Sequence, residues 1–332
     1  MAKEKVIILT HTADNISVDT VARFVQEAGG EAVRFNVDQY PLHSRLSSVY
    51  RQGRQEIVLE NESGIHTLHD AAGIWYRRSY NIGKGLDKIL DKEYLSATLL
   101  ESKRTLFGMI EGLDIFQMER YSVYRRLDSK EEQLRIAAAC GLRIPATCIS
   151  NDPAAIRHFM QSIDAPVITK MQSAFAIYRE GQEHVVFTNA VEDEHLQDLD
   201  SVQYCPMVFQ ERIEKQLELR VNIVGQALFA FSVNAALAAR AATDWRKDGA
   251  ALVDSWEPYT LPDELQQKLL AFMEAYGLNY GAIDLILSPD NQYYFLEVNA
   301  AGEYFWLDKL CDNAISRQIA HVLLGKAARR GN

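Results

Sequence analysis

The chain has 332 residues, enough to bury a substantial core and to divide into two or three lobes. Its hydrophobic fraction of 48% and charged fraction of 24% are those of an ordinary globular protein, and no stretch approaches the roughly 20 apolar residues of a membrane span. A formal net charge of −10, with no basic stripe beyond short arginine pairs, excludes a nucleic-acid surface and leaves any anionic ligand to isolated lysines and arginines.

The opening Met1-Ala-Lys-Glu-Lys runs straight into the strand-like Val6-Ile7-Ile8-Leu9. That leaves no room for a signal peptide's apolar core and cleavage site, and a cytoplasmic protein is expected. Val6 to Thr10, a helix from Ser17 to Ala28 stopped by Gly29-Gly30, and a strand from Ala32 to Phe35 make a βαβ unit. The loop after the first strand, His11-Thr12-Ala13-Asp14-Asn15, holds no glycine, so a dinucleotide fingerprint is excluded there. Strands are expected around Glu56–Leu59 and Gly73–Tyr76, and a helix over Lys92–Glu111. A second unit begins near Tyr121, with an amphipathic helix from Asp128-Ser129-Lys130 to Gly141. Strands follow at Pro166–Met171, Ala174–Tyr178 and Val185–Thr188, then an acidic helix around Glu192–Leu199. The third unit opens at Pro206-Met207 and carries strands at Glu218–Val224 and Leu228–Asn234, a helix near Asp263–Tyr276, and a final strand pair. Cys140, Cys148, Cys205 and Cys311 are scattered without ligand spacing and read as buried free thiols of a reducing cytoplasm.

That final pair, Ala282–Leu287 and Tyr293–Val298, is the most informative segment. Two apolar strands joined by Ser288-Pro289-Asp290-Asn291 read as a hairpin. Alternation puts Glu297 and Asn299 on one side and Leu296 and Val298 in the core, with Asp284 joining the first two if the register allows. Two carboxylates and an amide oxygen on one face suit Mg²⁺; single polar residues on a solvated sheet would look the same. An ionised group set between buried neighbours needs a partner, and this favours the joint reading.

The candidate cations are Lys130, Lys170, Arg220 and Arg246. Lys170 ends an apolar strand and suits either a phosphate or an ordinary strand edge. Lys130 opens a helix, where the dipole disfavours a cation unless an anion is near. Arg220 shares a face with Glu218 and suits an internal ion pair as well as a ligand. Arg246, in Asp244-Trp245-Arg246-Lys247, could grip a carboxylate or phosphate bidentately or simply face solvent.

Together these segments resemble the ATP-grasp superfamily, and more closely the microviridin-type (graspetide) peptide maturases. The resemblance covers nearly the whole chain. It is carried by Trp75-Tyr76-Arg77-Arg78, Thr169-Lys170-Met171 with Phe175-Ala176-Ile177-Tyr178, Phe209-Gln210-Glu211, Glu218-Leu219-Arg220, Asp244-Trp245-Arg246-Lys247, Gly281-Ala282-Ile283-Asp284 and Glu297-Val298-Asn299. It implies an α/β (α+β) ATP-grasp fold of three lobes, with the nucleotide cleft between the last two: a pre-ATP-grasp domain over 1–120, a central lobe over 121–205 and a C-terminal lobe over 206–332. It further implies that Lys130 and Lys170 contact the phosphates of ATP, that Gln210, Glu211 and Ile213 hold adenine, and that Glu218 binds ribose. Arg220 and Arg246 would face the γ-phosphate and the substrate carboxylate, while Asp284, Glu297 and Asn299 would hold Mg²⁺. One departure is that Met171–Ala176 lacks the glycines of the usual phosphate flap.

By the same resemblance the substrate is a ribosomal precursor peptide, leader plus core, and the protein a homodimer. An Asp or Glu side chain would be phosphorylated and then captured by a Ser/Thr hydroxyl or a Lys amine, closing an ω-ester or ω-amide ring. The acidic helix carrying Glu194 and Asp198 is the candidate leader dock. Two alternatives use the same core: a RimK-like ligase adding amino acids to a protein tail or small acid, and a non-catalytic ATP-binding partner protein.

Overall fold

The computed structural model describes residues 3–172, 176–179, 182–185, 189–234 and 255–331. The first lobe contains β1 (Lys5–Thr10), α1 (Ile16–Glu27), β2 (Glu31–Asn36), β3 (Arg45–Arg51), β4 (Arg54–Asn61), β5 (Gly64–Thr67), β6 (Ala71–Tyr76) and α2 (Lys92–Glu111). β2, β1 and β6 form a parallel sheet in that order, and β3, β4 and β5 an antiparallel meander. The Asn15 side chain caps α1 by accepting the Ser17 N–H at 3.0 Å. Val18, Val21, Phe24 and Val25 then fall on one helical stripe and pack in the same core as Val6 and Ile8.

The middle of the chain supplies α3 (Tyr121–Arg126), α4 (Lys130–Ala139), β7 (Thr147–Ser150), α5 (Pro153–Ser162), β8 (Val167–Lys170), β9 (Ala176–Arg179), β10 (Gln182–Val185), β11 (Asn189–Ala190), α6 (Asp193–Gln197) and β12 (Met207–Glu211). β9 and β10 pair with each other, while β11, β8, β12 and β7 form a sheet in that order. One expectation changes here. Met207–Glu211, read as the opening of the third unit, pairs with both β7 and β8 and so belongs to the central sheet. Of the strand expected at Val185–Thr188, Val185 belongs to β10 and residues 186–188 lie outside the described residues.

The last lobe is a five-stranded antiparallel sheet, β15-β14-β13-β16-β17, built from β13 (Leu217–Val224), β14 (Ala227–Asn234), β15 (Glu257–Pro258), β16 (Tyr280–Leu287) and β17 (Tyr293–Asn299). α7 (Asp263–Tyr276) covers one face together with α4: Ile136 and Ala137 share a core with Leu269, Phe272, Leu285 and Val298. After α8 (Phe305–Asp308), α9 (Ala314–Leu323) carries Ile315, Ile319, Val322 and Leu323 into a core shared by β1, α1 and β13. The first and last lobes are thus joined by apolar packing. Among the described residues no helix is long and apolar enough to cross a membrane. The four cysteines are unpaired, but none is buried as expected: Cys140, Cys148 and Cys311 are half-buried and Cys205 is exposed.

Candidate active site

β16 and β17 place the expected carboxylates together. Asp284 lies opposite Glu297 and Ala282 opposite Asn299, and a β-bulge follows that sets Leu285 against Phe295. Leu296 is therefore the extra residue of the bulge. It is Phe295 and Val298 that are buried in the core, each 1% exposed, while Leu296 is half-buried. Simple alternation misplaced Leu296 because it cannot register an inserted residue. The Asn299 amide donates to Glu297 Oε1 at 3.1 Å, so the two side chains face the same space.

Arg220 on β13 lies directly across from Asp284 on the other side. Its Nη1 donates to both carboxylate oxygens, at 2.6 and 2.8 Å. The Arg220–Glu218 pair considered above does not form, and Glu218 accepts from Lys215 at 2.7 Å instead. The loop after Asn299 runs hard against this arginine. A Cβ at Gly302 would stand 2.4 Å from the Ala282 Cβ and 2.6 Å from Arg220 Nη2, so only glycine allows the approach.

Two lysines act on the carboxylates from different elements, Lys130 by direct contact with Glu297 and Lys170 by its charge alone. Lys130 opens α4, whose cap Ser129 accepts the Glu132 N–H at 3.2 Å, and its Nζ lies 2.5 Å from Glu297 Oε2. The helix is fastened there by Gln133, 1% exposed. Its amide oxygen accepts the Val298 N–H at 2.9 Å and its Nε2 donates to the carbonyls of Leu127 (2.7 Å) and Val298 (3.2 Å). β17 is the edge of its sheet, so Gln133 completes two backbone groups that no further strand pairs. Lys170 ends β8 and donates to Gln210 Oε1 at 3.1 Å, and Gln210 Nε2 donates onward to Thr147 Oγ1 at 2.9 Å. This row of polar contacts crosses β8, β12 and β7.

The electrostatics follow from burial and charge. Burial, then the charge of Glu297, pushes the Asp284 carboxyl above its ordinary value, with Arg220 opposing. Burial also works against ionisation of Glu297, but Lys130, followed by Lys170, holds it well below the usual carboxylate range. Burial pulls the Lys170 ammonium down while Glu297 supports it. The site is a set of opposite charges in a space of low polarity, each stabilised by those of the other sign.

The remaining expected residues are distributed as follows. Glu211 Oε2 accepts the Ala146 N–H at 3.1 Å, and Ile213 is buried where the chain leaves the central sheet. Glu194 and Asp198 are exposed at α6 and its C-terminal cap. Arg246 lies outside the described residues, as do 173–175 of the glycine-free flap. Gln172, before them, donates to Glu131 on α4 at 2.9 Å. Gln133 is not singled out by the sequence, and Gly302, which belongs to the resemblance through Gly302-Glu303-Tyr304-Phe305-Trp306, is given no role by it. Gln133 carried a signal, since it falls among Leu134, Ile136 and Ala137 on the buried face of its helix, and a buried amide demands partners.

Among the described residues no group of three or more His, Cys, Asp and Glu side chains stands ready to hold a metal ion. Asp284, Glu297 and Asn299 together are hard oxygen donors of the kind that leave Mg²⁺ to complete its shell from water and phosphate, and the donor set fits that ion. Lysines from two elements beside such a set define an enzyme that works on a polyphosphate.

Comparison with known proteins places it more narrowly. The MvdD pre-ATP grasp domain family matches residues 5–125, and the RimK-like ATP-grasp domain family matches residues 127–323. A Chryseobacterium gregarium RiPP-associated ATP-grasp ligase, solved with ADP and a leader and core peptide, is 47% identical over 99% of both chains, with a TM-score of 0.95. The Microcystis aeruginosa macrocyclase MdnC, bound with precursor peptide MdnA, is 35% identical over 97% of this chain and 99% of its own, at 0.85. Macrocyclase MdnB of the same organism is 30% identical with the same coverage, at 0.80. No curated protein matches. The chain belongs to the ATP-grasp ligases, in the branch of RiPP-associated ligases and macrocyclases.

Proposed function

We propose that this ligase uses ATP and Mg²⁺ to phosphorylate Asp or Glu side chains in the core of a ribosomal precursor peptide and closes ω-ester rings with Ser or Thr, or ω-amide rings with Lys. The observation that carries the reading is the convergence of Lys130, Lys170 and Arg220 on the face formed by Asp284, Glu297 and Asn299. Similarity over 99% of both chains to a ligase bound to ADP, leader and core supports the choice of substrate.

In the first step a carboxylate oxygen of the peptide attacks the γ-phosphorus, the bond to the bridging oxygen breaks, and ADP leaves. In the second the hydroxyl oxygen or amine nitrogen attacks the acyl carbon, inorganic phosphate departs, and the nucleophile's proton passes to phosphate or solvent. Bound Mg²⁺, held by Asp284, Glu297 and Asn299, would supply charge neutralisation at the phosphate oxygens. Lys130 and Lys170 bind phosphate, Lys130 exchanging its Glu297 partner for the nucleotide. Gln210, Glu211 and Ile213 hold adenine and Glu218 the ribose. Arg220, held in place by Asp284, and Arg246 serve the γ-phosphate and the substrate carboxylate. Glu194 and Asp198 dock the leader.

The test supplies ATP, Mg²⁺ and the leader and core peptides of the C. gregarium complex. Each ring closed should release one ADP and remove one water from the peptide by mass spectrometry. Asp284→Asn should slow this about a hundredfold or more, as loss of a transition-state charge partner does. Phosphate release that ignores the peptide, or transfer of a free amino acid instead of ring closure, would overturn the reading.

A further inference from the structure

A second polar cluster lies where the carboxyl ends of β1 and β6 meet the loop after β17. Its centre is Glu303. That side chain accepts from Asn15 Nδ2 at 2.5 Å, from Arg77 Nη2 at 2.8 Å and from Arg78 Nη2, while its backbone carbonyl accepts from Arg220 Nη2 at 3.2 Å. One residue therefore ties the first lobe to the arginine beside Asp284.

The two arginines differ. Arg77 is 1% exposed and locked, with Nη1 donating to the Ala301 carbonyl at 2.5 Å. The Arg78 side chain is 18% exposed, and its contact with Asp14 is long, at 3.4 Å. Asp14 has better partners, in the Thr10 hydroxyl at 2.5 Å and the Asn15 N–H at 2.8 Å. The Nε groups of Arg77 and Arg78 are buried without a protein partner, and so is Nε2 of His11 close by. The Tyr80 ring, exposed to solvent, lies 5.8 Å from the Arg78 guanidinium and 5.6 Å from the His11 ring. The place itself is suggestive, since open α/β sheets bind ligands in the crevice beyond the carboxyl ends of their strands. A brace between lobes needs Arg77 and Glu303. It does not need a solvent-reaching arginine with donors to spare beside two aromatic rings.

We infer that this cluster is an acceptor-side subsite in which Arg78 takes a carboxylate of the peptide core, Tyr80 and His11 wall it, and Glu303 fixes it relative to Arg220. The inference rests on the peptide-ligase reading and adds to it the residue that selects an acidic side chain. A guanidinium suits the task because its planar fork matches a carboxylate.

The experiment compares two probes in the presence of ADP and leader: the core peptide of the C. gregarium complex, and the same peptide with every Asp and Glu changed to Asn and Gln. The wild type should bind the acidic form about tenfold more tightly or better, as one charge-assisted pairing provides. Arg78→Gln should cut that ratio several-fold, leaving the share that Arg220 and Arg246 contribute, with leader binding unchanged, and Arg78→Lys should fall between the two. A folded Arg78→Gln that keeps the wild-type ratio overturns the inference, as does a wild type that binds both peptides equally. Parallel loss of leader binding, core binding and melting temperature in Arg78→Gln marks the cluster as a brace alone. If Arg78→Gln does not fold, an undiminished ratio in Arg78→Lys is equally fatal. A wild type that binds neither peptide and consumes no ATP with them brings down the peptide-ligase reading itself.

Discussion

The carboxyl group of Glu119 is fully buried where the segment beside β6 meets the start of β16. Its Oε1 accepts the Tyr280 N–H at 2.5 Å, but its Oε2 has no protein partner. Burial pushes its pKa up to about 8, against the pull of the Tyr280 and Asn279 N–H groups. In the unfolded chain a glutamate releases its proton near pH 4.3. Between these values the folded state holds a proton that the unfolded state has lost, so stability falls as pH rises through that window and the loss is complete above pH 8. A shift of this size amounts to a few kcal/mol. Glu119→Gln keeps an acceptor for Tyr280 and cannot ionise. Urea midpoints at pH 5.5 and 9 should show the wild type losing a few kcal/mol more than the variant. Equal losses would mean that Glu119 is not the buried neutral acid described.

At the scale of elements, the lobes are unequally built. Among the described residues the core of the central sheet comprises Ile156, Val167, Leu199, Val202 and Phe209, whereas the C-terminal sheet buries many more apolar side chains against α4 and α7. Opening free energy follows buried apolar contact. Amides of β8 and β12 should therefore exchange with deuterium at least about a hundredfold faster than those of β13 and β16, a gap of ~3 kcal/mol. Comparable protection in the two sheets would contradict this. The same inequality governed what the sequence revealed. α2 and α7 are legible to the residue from helical spacing, and β13 and β16 are legible as strands because apolar residues dominate them. β3 was not, since Arg45-Leu-Ser-Ser-Val-Tyr-Arg51 is mostly exposed and presents no buried face. α5 escaped despite a usable signal, Asp152 capping at 2.9 Å with Pro153 at the first helical position. Asp284, Glu297 and Asn299 could be grouped from spacing. Lys130, Gln133 and Glu303 reach the site only through tertiary contacts across 83 to 167 residues, which no local pattern encodes.

Over the whole molecule the net charge of −10 opposes the approach of an acidic peptide, while the local cations Lys130, Lys170, Arg78 and Arg220 favour its carboxylates only at short range. Encounter must therefore be secured elsewhere, by a segment of the substrate that the acidic surface attracts. α6 offers such a place, because Glu194 and Asp198 are exposed there. A basic leader docked there would bring the core within reach of the site without using the charges that do the chemistry. Reversing both residues, Glu194→Lys with Asp198→Lys, turns two attractions into repulsions and should weaken binding of a leader peptide about tenfold. The salt dependence of what binding remains should also become shallower, while ATP hydrolysis without peptide stays at its wild-type rate. Fluorescence anisotropy of a labelled leader at low and high ionic strength measures the first two effects, and phosphate release the third. A leader that binds the reversed protein as tightly as the wild type docks on some other face, and the acidic helix then has no part in recognition.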